Sequence, residues 1–161
     1  MLTAWLTAIQ DLPFAAALRS GRWSYAAVNA GHIVGIALLF GAIVPLDLRL
    51  MGCWRSVPIR VLARILVPVA AVGLAIAITA GLLLFSTRAV QYAGTTLFQI
   101  KLALIACALA NALLLRQAVQ WEEAQGTVDG APPFRLRMAG GISIVLWLAV
   151  IACGRMIAFV D

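Results

Sequence analysis

A chain of 161 residues that is 64% hydrophobic and only 11% charged is far more apolar than a soluble domain, in which roughly a quarter of residues carry charge. A soluble globule is excluded, and four helices of about 20 residues with short connections would use the whole length. The formal net charge of +6 calls for no nucleic acid partner, because the arginines sit where a membrane collar would place them.

Residues 2–18 are less continuously apolar than the rest of the chain. Leu2, Trp5, Leu6, Ile9, Leu12 and Phe14 recur near helical spacing beside Gln10, Asp11 and Arg19, which predicts a short helix lying in the membrane interface. Pro13 should break or kink it. No positive stretch precedes these residues and Asp11 interrupts them, so the segment is read as part of the mature protein, not a signal peptide.

The first span is predicted over 24–46, after Arg22 and up to the Asp47-Leu48-Arg49 triplet. The second covers 61–85, with Arg64 and Thr79 as its polar interruptions and Pro68 as an expected kink. The third covers 97–115. The fourth covers 136–159 and comes after a turn-rich stretch from Gly126 to Pro133. The runs are continuously apolar where a barrel strand would alternate, which excludes a transmembrane barrel. The fold class is therefore all-α: an integral membrane four-helix bundle, one transmembrane domain with an N-terminal interfacial helix.

Arginine placement orients the spans. Arg49, Arg55, Arg60, Arg64, Arg116, Arg135 and Arg137 fall on one side, against Arg19, Arg22 and Arg88 on the other. The positive-inside rule then places both termini outside.

With that threading, polar residues recur at one depth. Lys101 stands about one turn inside the third span, where an ammonium is costly unless something answers its charge. His32 lies about eight residues from the outer end of the first span, roughly 12 Å deep at 1.5 Å per residue. Asn29 shares its side of the helix, and Arg155 lies at a similar level of the last span. Two readings stay open. Lys101 and Arg155 are near enough to the surface to snorkel, and a lone His beside Asn often serves helix packing. Alternatively the group binds a cofactor, with His32 as an axial haem ligand and the two cations facing haem propionates.

The chain has one His, so a bis-His haem would need a symmetric dimer, or Met156 as second ligand. Copper is the alternative metal, held by His32, Cys153 and Met156 as soft ligands; ordinary packing explains Cys and Met equally well. Cys53, Cys107 and Cys153 are widely spaced and form no C-x-x-C pair. No nucleophile elbow, Walker loop or H-E-x-x-H helix is present, so neither hydrolase nor kinase chemistry is indicated. At the inner side Asp47, Arg49, Arg64, Asn111 and Arg116 are expected to form a helix-end salt-bridge network. Ala27, Gly31 and Gly35, and likewise Gly73, Ala77 and Gly81, recur every four residues and permit close helix approach.

The stretch from Tyr25 to Gly52, with His32, Gly35, Gly41 and Asp47-Leu48-Arg49-Leu50-Met51-Gly52, and then Arg64, Pro68, Gly73, Gly81, Phe85, Tyr92, Phe98, Lys101 and Asn111, resembles a group of uncharacterised bacterial four-span membrane proteins. It is similar, more distantly, to membrane proteins of the copper-resistance-D type. The first resemblance covers most of the chain and implies the fold; the second implies copper handling, from which a single His departs.

The expectation is a bacterial inner-membrane, multi-pass protein with periplasmic termini and a polar site on that side. A redox-associated role with haem b is the leading reading, with His32 and Lys101 at the site and Asn29, Arg155 and Met156 supporting. A copper or ion-handling transport component and a structural subunit of a larger complex are the rivals. Expected partners are the lipid bilayer, a second copy of the chain and an electron-transfer partner.

Overall fold

The computed structural model describes residues 2–117 and 132–160, so most of the predicted turn-rich stretch, 126–131, lies outside the described residues. Seven helices make up the described chain: α1 (Leu2–Gln10), α2 (Pro13–Ser20), α3 (Arg22–Met51), α4 (Ile59–Thr87), α5 (Ala89–Gly94), α6 (Thr96–Gln117) and α7 (Phe134–Val160). The helices α3, α4, α6 and α7 are each long and apolar enough to cross a membrane. They are the four expected spans. Large apolar side chains such as Ile33, Ile65, Leu82, Leu114 and Val145 are exposed along them, as lipid contact requires and water would not tolerate.

Every span is longer than hydropathy alone suggests. The first runs on past Leu46 to Met51, because Asp47 and Arg49 are buried inside the bundle and not at its edge. It stops where Gly52 takes the left-handed conformation at φ 107° and donates its N–H back to the Arg49 carbonyl. The second starts after Pro58, and Pro68 stands within it without ending it.

The single interfacial helix expected over 2–18 is two helices. Pro13 cannot continue α1 but is suited to the first turn of a new helix, so the chain breaks at Asp11-Leu12 and restarts as α2. Both helices dock on the link between α4 and α5. Gln10 Nε2 and Arg19 Nη1 donate to the Thr87 carbonyl, and the Val90 N–H donates to Gln10 Oε1. Ala15, Leu18 and Ala89 are buried beneath them. The helix α5 has no counterpart among the expected elements. It is tied in by stacking of Phe85, Tyr92 and Phe98, with centroids 5.3 to 6.5 Å apart. Helices α1, α2 and α5 thus cap one end of the bundle.

The spans approach one another most closely in the order α4, α3, α7, α6. Glycines set the first of these seams. A Cβ added to Gly35 would stand 2.5 Å from the Ala77 nitrogen, and one added to Gly73 would stand 2.5 Å from the Leu39 nitrogen. The backbones of α3 and α4 therefore touch, which only small residues allow. Side chains from all four spans fill the space between, with Leu39, Ala108, Trp147 and Val150 at the centre of one cluster. A second cluster of Leu46, Leu50, Ile59, Ala63 and Leu136 lies toward the uncapped end.

The expected salt-bridge network at that end is not what these residues build. Arg49, fully buried, turns to the loop after α3: Nε donates to the Val57 carbonyl at 2.6 Å and Nη2 to the Arg55 carbonyl at 3.2 Å. Asp47, two residues earlier, points to a different side of the helix and meets the Ser143 hydroxyl of α7. Asn111 donates to the Ala139 carbonyl at 3.0 Å, while Arg64 and Arg116 are exposed.

Candidate functional site

The capped half of the bundle holds the one histidine. His32 lies on α3 one turn before Gly35, so the close crossing of α3 and α4 carries its ring against the second span. There its Nδ1 is 2.8 Å from the Ala77 carbonyl oxygen. A carbonyl has no proton to give, so Nδ1–H is the donor and, in the neutral ring, Nε2 keeps its lone pair. Gly81 makes room: a Cβ there would stand 3.1 Å from His32 Cε1. The same crossing thus places the ring, fixes its tautomer and leaves one nitrogen available as a ligand.

Lys101 reaches this level from the opposite side. It sits in the second turn of α6 and extends across α7, where a Cβ on Gly154 would stand 3.3 Å from its Nζ. The side chain is half-buried and lies within electrostatic range of His32 and of Cys153. Lys101 thus lies in range of one residue on each of two other spans, His32 and Cys153. The remaining candidates are placed differently. Asn29 and Met156 are exposed, and Arg155, also exposed, puts its guanidinium 4.7 Å from the centre of the Phe159 ring. Among the described residues no three His, Cys, Asp or Glu side chains cluster as a metal centre.

Over residues 19–160 the sequence matches the model of a family of unknown function, DUF6644. The chain belongs to this family. The match takes in all four spans together with His32, Lys101 and Cys153, and leaves α1 and most of α2 outside it. No curated protein and no solved structure matches the chain.

Three positions beside the candidate residues are not readable from the sequence. Ala77 contributes a carbonyl, which no side-chain pattern reveals. Gly81 and Gly154 contribute only space, one for the imidazole and one for the ammonium. The four-residue recurrence of Gly73, Ala77 and Gly81 is the one signal that bears on them, and helix packing accounts for it equally well.

Proposed function

We propose that this DUF6644 chain is a small haem b-binding, redox-associated protein of a bacterial inner membrane, with His32 as axial ligand and Lys101 as counter-charge to a propionate. One observation carries this reading, the His32 hydrogen bond to Ala77. A metal-bound histidine typically gives its other ring N–H to a carbonyl or carboxylate, which orients the ring and raises its basicity. Haem would supply one-electron chemistry when bound. The chain supplies the oriented Nε2, an apolar surround and a cation at the same level. A second ligand would come from the same histidine of a second copy, since Met156 is exposed and apart from this region.

Cys153 supports a second reading, because it lies within electrostatic range of the same lysine as His32. A thiolate and an imidazole suit Cu(I). A Lys101 ammonium within electrostatic range of both ligands opposes a bare cation and favours the haem reading.

A visible spectrum of the purified protein separates these cases. A Soret band lost in His32→Ala and weakened in Lys101→Met supports haem, with the double variant losing little more than the first, since groups acting on one ligand are not additive. Bound copper without a Soret band supports the second reading. Neither one leaves a structural subunit of a larger complex. The arginine distribution supports periplasmic termini: a reporter fused after Asp161 should face the periplasm, and one inserted between residues 126 and 133 the cytoplasm.

A further inference from the structure

The uncapped half contains a carboxyl group that the proposed haem site does not use. Asp47 lies inside the first span, 5% exposed, and its Oδ2 has no hydrogen-bond partner among the described residues. The polar neighbour it has is the buried Ser143 hydroxyl on the last span. Among the described residues no cation answers it. Arg49 turns Nε and Nη2 to the Val57 and Arg55 carbonyls, and its buried Nη1, without a partner among the described residues, forms no ion pair with Asp47. On α4 the nearby turns present Ile59 and Ala63, while Arg60 and Arg64 are exposed; on α6 Asn111 is taken up by the Ala139 carbonyl and Arg116 is exposed; on α7 Arg135 and Arg137 are exposed. The helices are also closely packed at this residue. A Cβ on Gly140 would stand 2.8 Å from the Asp47 main-chain oxygen and 3.3 Å from Leu50 Cβ, so α3 and α7 meet backbone to backbone beside this carboxyl.

We propose that Asp47 is a proton-binding site, held as a neutral carboxylic acid against the Ser143 hydroxyl between the first and last spans, and that loss of this proton loosens α3 from α7. An ionised carboxylate enclosed without a counter-charge costs far more than a neutral acid short of one hydrogen bond. Ionisation therefore requires water or a cation to enter, and the contact at Gly140 must open to admit either. This makes the packing of two spans respond to protons at a site on the opposite half of the bundle from His32.

Infrared spectroscopy of the full chain in liposomes tests this, because the C=O stretch of a carboxylic acid is distinct from the carboxylate bands. At neutral pH the wild-type protein should show an acid band that shifts in D2O and is lost in Asp47→Asn. Ser143→Ala should keep the band but move it, having removed the hydroxyl contact, and this variant carries the test if Asp47→Asn does not accumulate. Raising the pH should remove the band and lower the thermal stability of the wild type while leaving Asp47→Asn level. The sign is set by the folded state holding a proton that the unfolded state releases, so stability falls as pH rises. An acid band at neutral pH that is indifferent to both substitutions, or the absence of one, overturns the proposal. Sodium chloride stabilising the wild type over choline chloride, with the effect lost in Asp47→Asn, would also overturn it, in favour of a cation site.

Discussion

The seams at the two ends of the row of spans are built differently. Between α3 and α4 the backbones touch across Gly35 and Gly73, and that contact is what presses His32 onto the Ala77 carbonyl. Between α6 and α7 the helices are held by apolar packing and by two polar reaches from the third span, Lys101 to the Gly154 level and Asn111 to the Ala139 carbonyl. All four spans are strongly apolar in composition, so hydrophobicity does not distinguish the seams. The first tolerates no added atom at Gly35 or Gly73, whereas the second includes contacts that polar side chains of α6 carry across to α7.

The largest effect should come from filling the tight seam. Gly35→Val or Gly73→Val places carbon against backbone and should lower stability by about 3 kcal/mol or more, read as thermal unfolding in detergent, with any bound cofactor lost as the His32 contact shifts. A loss no greater than for a lipid-facing control would break the contrast between the seams. Gly81→Ala should cost less, about 1 kcal/mol, since it crowds a side chain and not a backbone. His32→Leu in the same chain should change that cost, because the two positions touch; strict additivity would show that the ring does not rest on Gly81. At the looser seam, Asn111→Leu removes one interhelical hydrogen bond and should cost about 0.6 kcal/mol, the usual worth of such a bond in a membrane protein. A loss as large as that of Gly73→Val would mean that polar reach, not close packing, dominates the bundle. Smallest of all, Gly31→Ala and Gly41→Ala meet nothing within 4 Å and should stay within about 0.5 kcal/mol of wild type, although they lie on the same helix as Gly35.

Much of the candidate site is legible in the amino-acid sequence. His32 and Lys101 stand out because a polar or charged side chain is costly in an apolar run, and the span count gives their common depth. Asn29, Arg155 and Met156 share that depth, yet all three are exposed. Depth says nothing about which way round a helix a side chain faces. Cys153, half-buried, lies within electrostatic range of Lys101, whereas Met156 three residues later is exposed.

What the sequence determined by itself is the membrane solution. Four continuous apolar runs must satisfy their backbone groups internally, and helices do so with local hydrogen bonds alone; Pro13 and Gly52 act as break and stop through their own backbone chemistry. Only the tertiary structure decided which faces meet. Whether Gly35 or Gly31 lies at a crossing, whether Arg49 answers Asp47 or the carbonyls of a loop, and which nitrogen of His32 stays free depend on the rotation and approach of neighbouring helices. That choice rests on packing between segments far apart in the chain, for which a run of uniformly apolar residues holds no local record.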